Sequence, residues 1–158
     1  MHVLKRLLLA SSFFLLACSH VDQSEDVYKS DATGTELAMQ VCSACHGKSG
    51  ESIASQVPKL AGQHKEYIVI QLSQFKEHVR ASNGGMTFMW NFSQLTDRQM
   101  QELGVYYSRQ TPMKGEKTKS PLLIRGRTLY ENGNSDAGIP PCASCHGNLA
   151  LGKEEIPR

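Results

Sequence analysis

The apolar positions of this chain fall on helical faces. In HKEYIVIQLSQFKEHVR, Ile68, Leu72, Phe75 and Val79 stand at i, i+4, i+7 and i+11, the stripe of an amphipathic helix. Upstream, Thr33 followed three residues later by Glu36 has the form of a capping box. The helix it opens carries Leu37 and Val41 on one face and runs into CSACHG. Downstream, Thr96 with Gln99 caps a third helix whose inner face holds Met100, Leu103 and Tyr107. Gly-rich connections join the three, and no segment alternates as a strand does, so the pattern predicts a small all-α domain.

A second helical pattern begins after TPMKGEKTKS, a linker of Lys, Thr, Gly and Pro with nothing to bury. Ser120-Pro121 marks a helix start, Ser at the N-cap and Pro in the first turn, with Gly133 near the end. Comparing the chain with itself shows why the pattern returns. TGTELAMQVCSACHGKSGESIASQVPKLAGQ and RGRTLYENGNSDAGIPPCASCHGNLALGKEEIPR agree at the helix, the CxxCHG and a following Pro-Lys or Pro-Arg. The step from His46 to Pro58 is 12 residues and that from His146 to Pro157 is 11.

The first residues obey a different pattern. MHVLKRLLLASSFFLLACS has a short basic stretch, an apolar run from Leu7 to Leu16 and small residues around Cys18, the layout of a bacterial secretory signal. The run is too short to span a bilayer comfortably. Leu15-Leu16-Ala17-Cys18 is similar to a lipoprotein signal, in which the Cys becomes the lipidated first residue; the alternative is an ordinary signal cut near Ser19. Lipidation of Cys18 divides the five cysteines cleanly, since the other four form two CxxC pairs. SHVDQSEDVYKSDATG then suits a flexible tether. The expected organisation is a signal peptide over 1–17, a tether over 18–32, a first domain over 33–110, a linker over 111–119 and a second unit over 120–158.

Loss of residues 1–17 removes Lys5 and Arg6 and no acid, so 17 basic residues become 15 against 15 acidic ones. A near-neutral mature chain lacks the basic surface on which nucleic-acid binding depends, so no nucleic-acid partner is expected.

Chemistry is concentrated in CSACHG and CASCHG. Two thiols separated by two residues can add across the two vinyl groups of one haem, and the adjacent His then sits below the iron. Cys42, Cys45 and His46 form one such set; Cys142, Cys145 and His146 form the other. A thioredoxin-like CxxC would lie near a βαβ pattern, which is absent. Two independent copies inside a repeat also fit a zinc site poorly. A sixth iron ligand for the first haem has candidates in Met86 and Met89 of RASNGGMTFMWNFSQL, a Gly-rich loop between the second and third helices. His64 and His78 lie among polar helix positions and read as surface residues.

These residues resemble class I cytochromes c, and most closely the diheme cytochrome c4 family of two such domains in tandem. The likeness spans roughly 33 to 158 and rests on CSACHG, VPKLAGQ with the Tyr67 helix, a Met loop, LTDRQMQELGVYYS, the second opening helix and CASCHG followed by IPR. It implies haem c at both motifs, His46 as proximal and Met86 as distal ligand of the first iron with Met89 as alternative, and His146 as proximal ligand of the second. It implies as well that the Pro58 carbonyl accepts a hydrogen bond from His46, and Pro157 likewise from His146, orienting each imidazole. A Met matching Met86 would fall near position 186, beyond Arg158, so the second domain is expected to be incomplete, through a truncated gene product or an incomplete record.

The function so implied is a periplasmic electron carrier, lipid-tethered to the membrane, with no substrate turnover of its own. Its redox partner proteins would be a donor such as a quinol-oxidising complex and an acceptor such as a terminal oxidase or reductase. The alternative is a haem subunit that accepts electrons within a periplasmic dehydrogenase complex. Gas binding at a second iron lacking its Met is a third reading, which an incomplete domain makes unnecessary.

Overall fold

Thr33 starts the first helix as its pattern requires. Its side chain accepts the Glu36 N–H at 3.2 Å, and the Glu36 carboxylate accepts the Thr33 N–H at 2.8 Å, which satisfies donors that a helix start otherwise leaves orphaned. The computed structural model describes residues 31–115 and 120–158. The signal segment 1–17, Cys18, most of the tether and linker residues 116–119 lie outside the described residues.

The first unit is built from α1 (Gly34–Leu37), a π-helical stretch Ala38–Cys42, α2 (Ser43–His46), α3 (Lys65–Lys76), α4 (Asn83–Phe88), a 3-10 turn Met89–Phe92 and α5 (Asp97–Ser108). The second has α6 (Leu122–Asn132), a 3-10 turn Ser135–Ala137 and α7 (Ala143–His146). Among the described residues there are two isolated bridges, Asn134 with Ile139 and Lys153 with Ile156, and no strand. No described helix is long and apolar enough to cross a membrane.

The core lies where α5 packs on both α1 and α3. Leu37, Ala38, Ile68, Leu95, Met100, Leu103 and Tyr107 form it. The approach of α1 to α5 is so close that a Cβ on Gly34 would run into the Glu102 side chain and the Leu103 backbone, so glycine is required there. Glu102 closes the crossing by accepting the Gly34 N–H at 2.6 Å. The buried Gln99 is paired at both ends of its amide: its oxygen accepts the Thr96 N–H at 2.9 Å and its nitrogen donates to Ala32 O at 3.1 Å, as burial of a polar side chain demands.

Three local expectations change. The stripe of the second helix ends one turn early: α3 stops at Lys76, His78 turns to φ +58°, and Val79 is 68% exposed. The amides of Val79 and Arg80 both fold back onto Gln74 O, a helix-closing turn made without the glycine that normally signals one. The expected methionine loop is instead helical, opened by Ser82, whose hydroxyl accepts the Gly85 N–H. Finally, Pro121 rather than Ser120 occupies the cap of α6, although the Ser120 hydroxyl still accepts the Leu122 N–H at 3.3 Å.

The second unit repeats the opening of the first without its core. No residue of α6 is buried, and Leu122, Leu123 and Ile124 stand 69%, 50% and 78% exposed. In α1, Leu37 is 1% exposed under α5, whereas its counterpart Leu129 is 37% exposed; over Gly126, the counterpart of Gly34, a Cβ would meet nothing.

Candidate haem-attachment sites

Each CxxCH is a single helical turn. The π-helical stretch ends at Cys42 and hands the chain to Ser43–His46, so Cys42 and Cys45 lie on the same turn with His46 directly after. A π stretch inside a helix shifts the side chains that follow it around the axis, and such bulges cluster at functional sites. Gly47 then breaks the helix at φ +74° and ψ 159°. At the second motif Gly147 does the same at φ +76° and ψ 162°. A Cβ on Gly47 would also strike the Glu51 carboxylate, which accepts the Ser49 amide at 2.9 Å and hydroxyl at 2.7 Å.

After each break the chain returns over the preceding histidine. His46 O accepts the Ser52 N–H at 2.7 Å, and His146 O accepts the Gly152 N–H at 3.0 Å. Pro58 O lies 2.8 Å from Nδ1 of His46, and Pro157 O lies 2.8 Å from Nδ1 of His146. A carbonyl can only accept, so each Nδ1 carries a hydrogen, and in the neutral ring Nε2 then holds the lone pair. Burial lowers the His46 pKa, with the Pro58 carbonyl opposing it, so the ring is neutral at neutral pH. A neutral imidazole whose far nitrogen is held by a second group is the state in which histidine binds a metal.

The thiols meet the other requirement. Cys42, Cys45, Cys142 and Cys145 are all free, and no disulfide closes either CxxC. Cys42 is half-buried against the core, and desolvation pushes its thiol up to about 11. Tyr107, 2% exposed, is shifted upward too, first by burial and then by Cys42; its hydroxyl has no hydrogen-bond partner. An orphaned phenol beside Cys42 is a buried polar group of the kind that calls for a further occupant of the site. Free paired thiols, a neutral histidine with an open Nε2 and an unpartnered phenol fit covalent haem.

Met86 is in α4 and 40% exposed; Met89 begins the 3-10 turn and is half-buried. The segment carrying both is held by the Trp90 indole, which donates to Arg80 O at 3.0 Å and stacks on His78 with ring centroids 4.5 Å apart. His78 is thus a surface residue with a packing task. His64 is not merely a surface residue: its Nε2 lies 2.8 Å from Leu151 O, next to the second motif. Periodicity and motif spacing hold no signal for that contact, because its partners are 87 positions apart.

The Cytochrome c family matches residues 32–108. Cytochrome c4 of Thiocapsa roseopersicina is 44% identical over 114 residues, which cover 72% of this chain and 57% of that protein. Cytochrome c-552 of Acidithiobacillus ferridurans is 32% identical over the whole of this chain and 69% of its own. The solved cytochrome c4 of Acidithiobacillus ferrooxidans superposes with a TM-score of 0.69 at 34% identity, over 74% of this chain and 70% of that one. The chain thus spans little more than half the length of the Thiocapsa protein. With a helical fold, a duplicated CxxCH turn and these relatives in agreement, the chain belongs to the cytochrome c family, within its diheme cytochrome c4 group.

Proposed function

We propose that the chain carries single electrons between redox proteins in the bacterial periplasm. Haem c, the covalently bound cofactor of the family, supplies a one-electron iron couple when attached. The observation that carries the reading is the repeated turn in which Nδ1 of His46 and of His146 each donates to a proline carbonyl at 2.8 Å, leaving Nε2 open. Cys42 and Cys45 would hold the first haem, and Cys142 and Cys145 the second. Met86 would supply the thioether ligand to the iron of the first haem, with Met89 of the same segment as the alternative. The Pro58 and Pro157 carbonyls fix the plane of each imidazole, so that little in the protein moves between oxidation states.

The first haem domain would comprise residues 33–110, and residues 120–158 a second haem-attachment unit. A signal over 1–17 and lipid on Cys18 would place the carrier at the periplasmic face of a membrane. Donor and acceptor would dock at an exposed haem edge.

The test is a pyridine haemochrome count with an oxidised-minus-reduced spectrum, on protein matured in a cell able to attach haem. Two haems per chain and a reversible c-type spectrum are expected. Absence of any c-type signal defeats the proposal. Stable co-purification with a larger catalytic subunit would replace free shuttling with a place inside a dehydrogenase complex.

A further inference from the structure

The loops that support the two histidines touch each other. From the first unit, Gln63 and His64 reach across; from the second, Leu151 and Arg158 receive them. Nε2 of His64 donates to Leu151 O at 2.8 Å, and the amide oxygen of Gln63 accepts the Arg158 backbone N–H at 3.1 Å. These partners are 87 and 95 positions apart, so the contacts are tertiary and owe nothing to local chain geometry.

Both ends of the contact are anchored. On the first unit, the Gly62 N–H donates to Tyr107 O at 2.9 Å, and the Leu60 and Ala61 amides both donate to Gly50 O. Gly62 has φ +69°, and a Cβ there would collide with Pro112, so the segment is seated against the end of α5. Gln63 Oε1 also accepts the His64 amide at 2.9 Å, which fixes the side chain that receives Arg158. On the second unit, Leu151 precedes Gly152, whose N–H donates to His146 O. Arg158 follows Pro157, whose carbonyl holds Nδ1 of His146. The two bonds therefore grip the second loop immediately beside both of its contacts with His146.

We infer that Gln63 and His64 are positioning residues that clamp the second haem-attachment loop to the first unit and set the orientation of His146 relative to the first site. Among the described residues α6 has no buried residue, and the two bonds from Gln63 and His64 hold the second loop against the first unit. For electrons, the clamp joins the support of His46 to the support of His146: Pro58 lies five residues before Gln63, and Pro157 directly precedes Arg158. That consequence rests on haem being attached at both motifs, whereas the clamp does not.

The test is amide hydrogen exchange, read by mass spectrometry on peptides covering 148–158, in the full haem-loaded chain and in His64→Leu, Gln63→Leu, His64→Gln and Gln63→Glu. The leucine variants lose a donor or an acceptor, while the Gln and Glu variants keep one at similar reach. Exchange in 148–158 should rise roughly two- to tenfold in each leucine variant, the range for one net hydrogen bond. It should return towards the parent rate in His64→Gln and Gln63→Glu, and peptides from α1 and α5 should stay unchanged throughout. Parent-like exchange of 148–158 in both leucine variants would overturn the clamp, as would faster exchange of α1 and α5 in step with it. A haem count on the same samples tests the electron-carrier reading separately.

Discussion

Truncating Leu103 probes whether the crossing of α1 and α5 holds the first haem turn in place. Leu103 is 2% exposed and lies in one cluster with Leu37, 1% exposed, which directly precedes the π-helical stretch leading to Cys42. Leu103→Ala removes its buried methyl groups and leaves a cavity that the close crossing at Gly34 cannot collapse, which costs about 3 kcal/mol. For a domain of this size, that corresponds to a fall in Tm of roughly 12–24 °C. The assay is far-UV circular dichroism during heating of the haem-loaded, reduced chain, with Val79→Ala as the paired control. Val79 is 68% exposed outside α3, so its truncation should stay within about 0.5 kcal/mol of the parent. Leu103→Ala within about 1 kcal/mol of the parent, or Val79→Ala matching it, would refute the placement of the core.

Replacing Cys42 and Cys45 together with Ser should remove the haem of the first motif, seen as a fall in pyridine haemochrome per chain; an unchanged haem content would count against the site. Met86→Ala should abolish the weak absorption band of iron-thioether ligation and Met89→Ala should leave it, and the reverse pattern would transfer the distal role to Met89. Acid stability should depend on Glu102 and Glu36, whose carboxyls are held below their ordinary value chiefly by the Gly34 amide and by Thr33 respectively. A folded pKa below the unfolded one gives stability that is complete above about pH 4.5 and is lost as pH falls through the folded value. Glu102→Gln should therefore flatten the acid limb of a stability-against-pH curve, measured by urea unfolding between pH 3 and 7; an acid limb as steep as the parent's would refute this.

Much of the fold was legible along the chain because its signals are local. Capping boxes at Thr33 and Thr96 need only partners three residues away, and both close as expected. The face of Met100, Leu103 and Tyr107 is buried as its spacing predicts. Where one helix ended was less legible: nothing in KEHVR marks the left-handed turn at His78, a conformation usually reserved for Gly or Asn. The helix at Asn83–Phe88 was hidden by its two glycines, which disfavour helix until a Ser cap and the packing of Phe75 against Gly85 supply what propensity lacks.

By itself the sequence determined the family, the repeat and the two attachment turns, since CxxCH acts within one turn of helix and needs no distant residue to form it. Only the tertiary structure decided what holds those turns. The glycine-tight crossing at Gly34, the orphaned Tyr107 hydroxyl beside Cys42 and the grip of Gln63 and His64 on the second loop join residues far apart in the chain. Such contacts depend on how packed helices meet in space, which no periodicity along a single segment records.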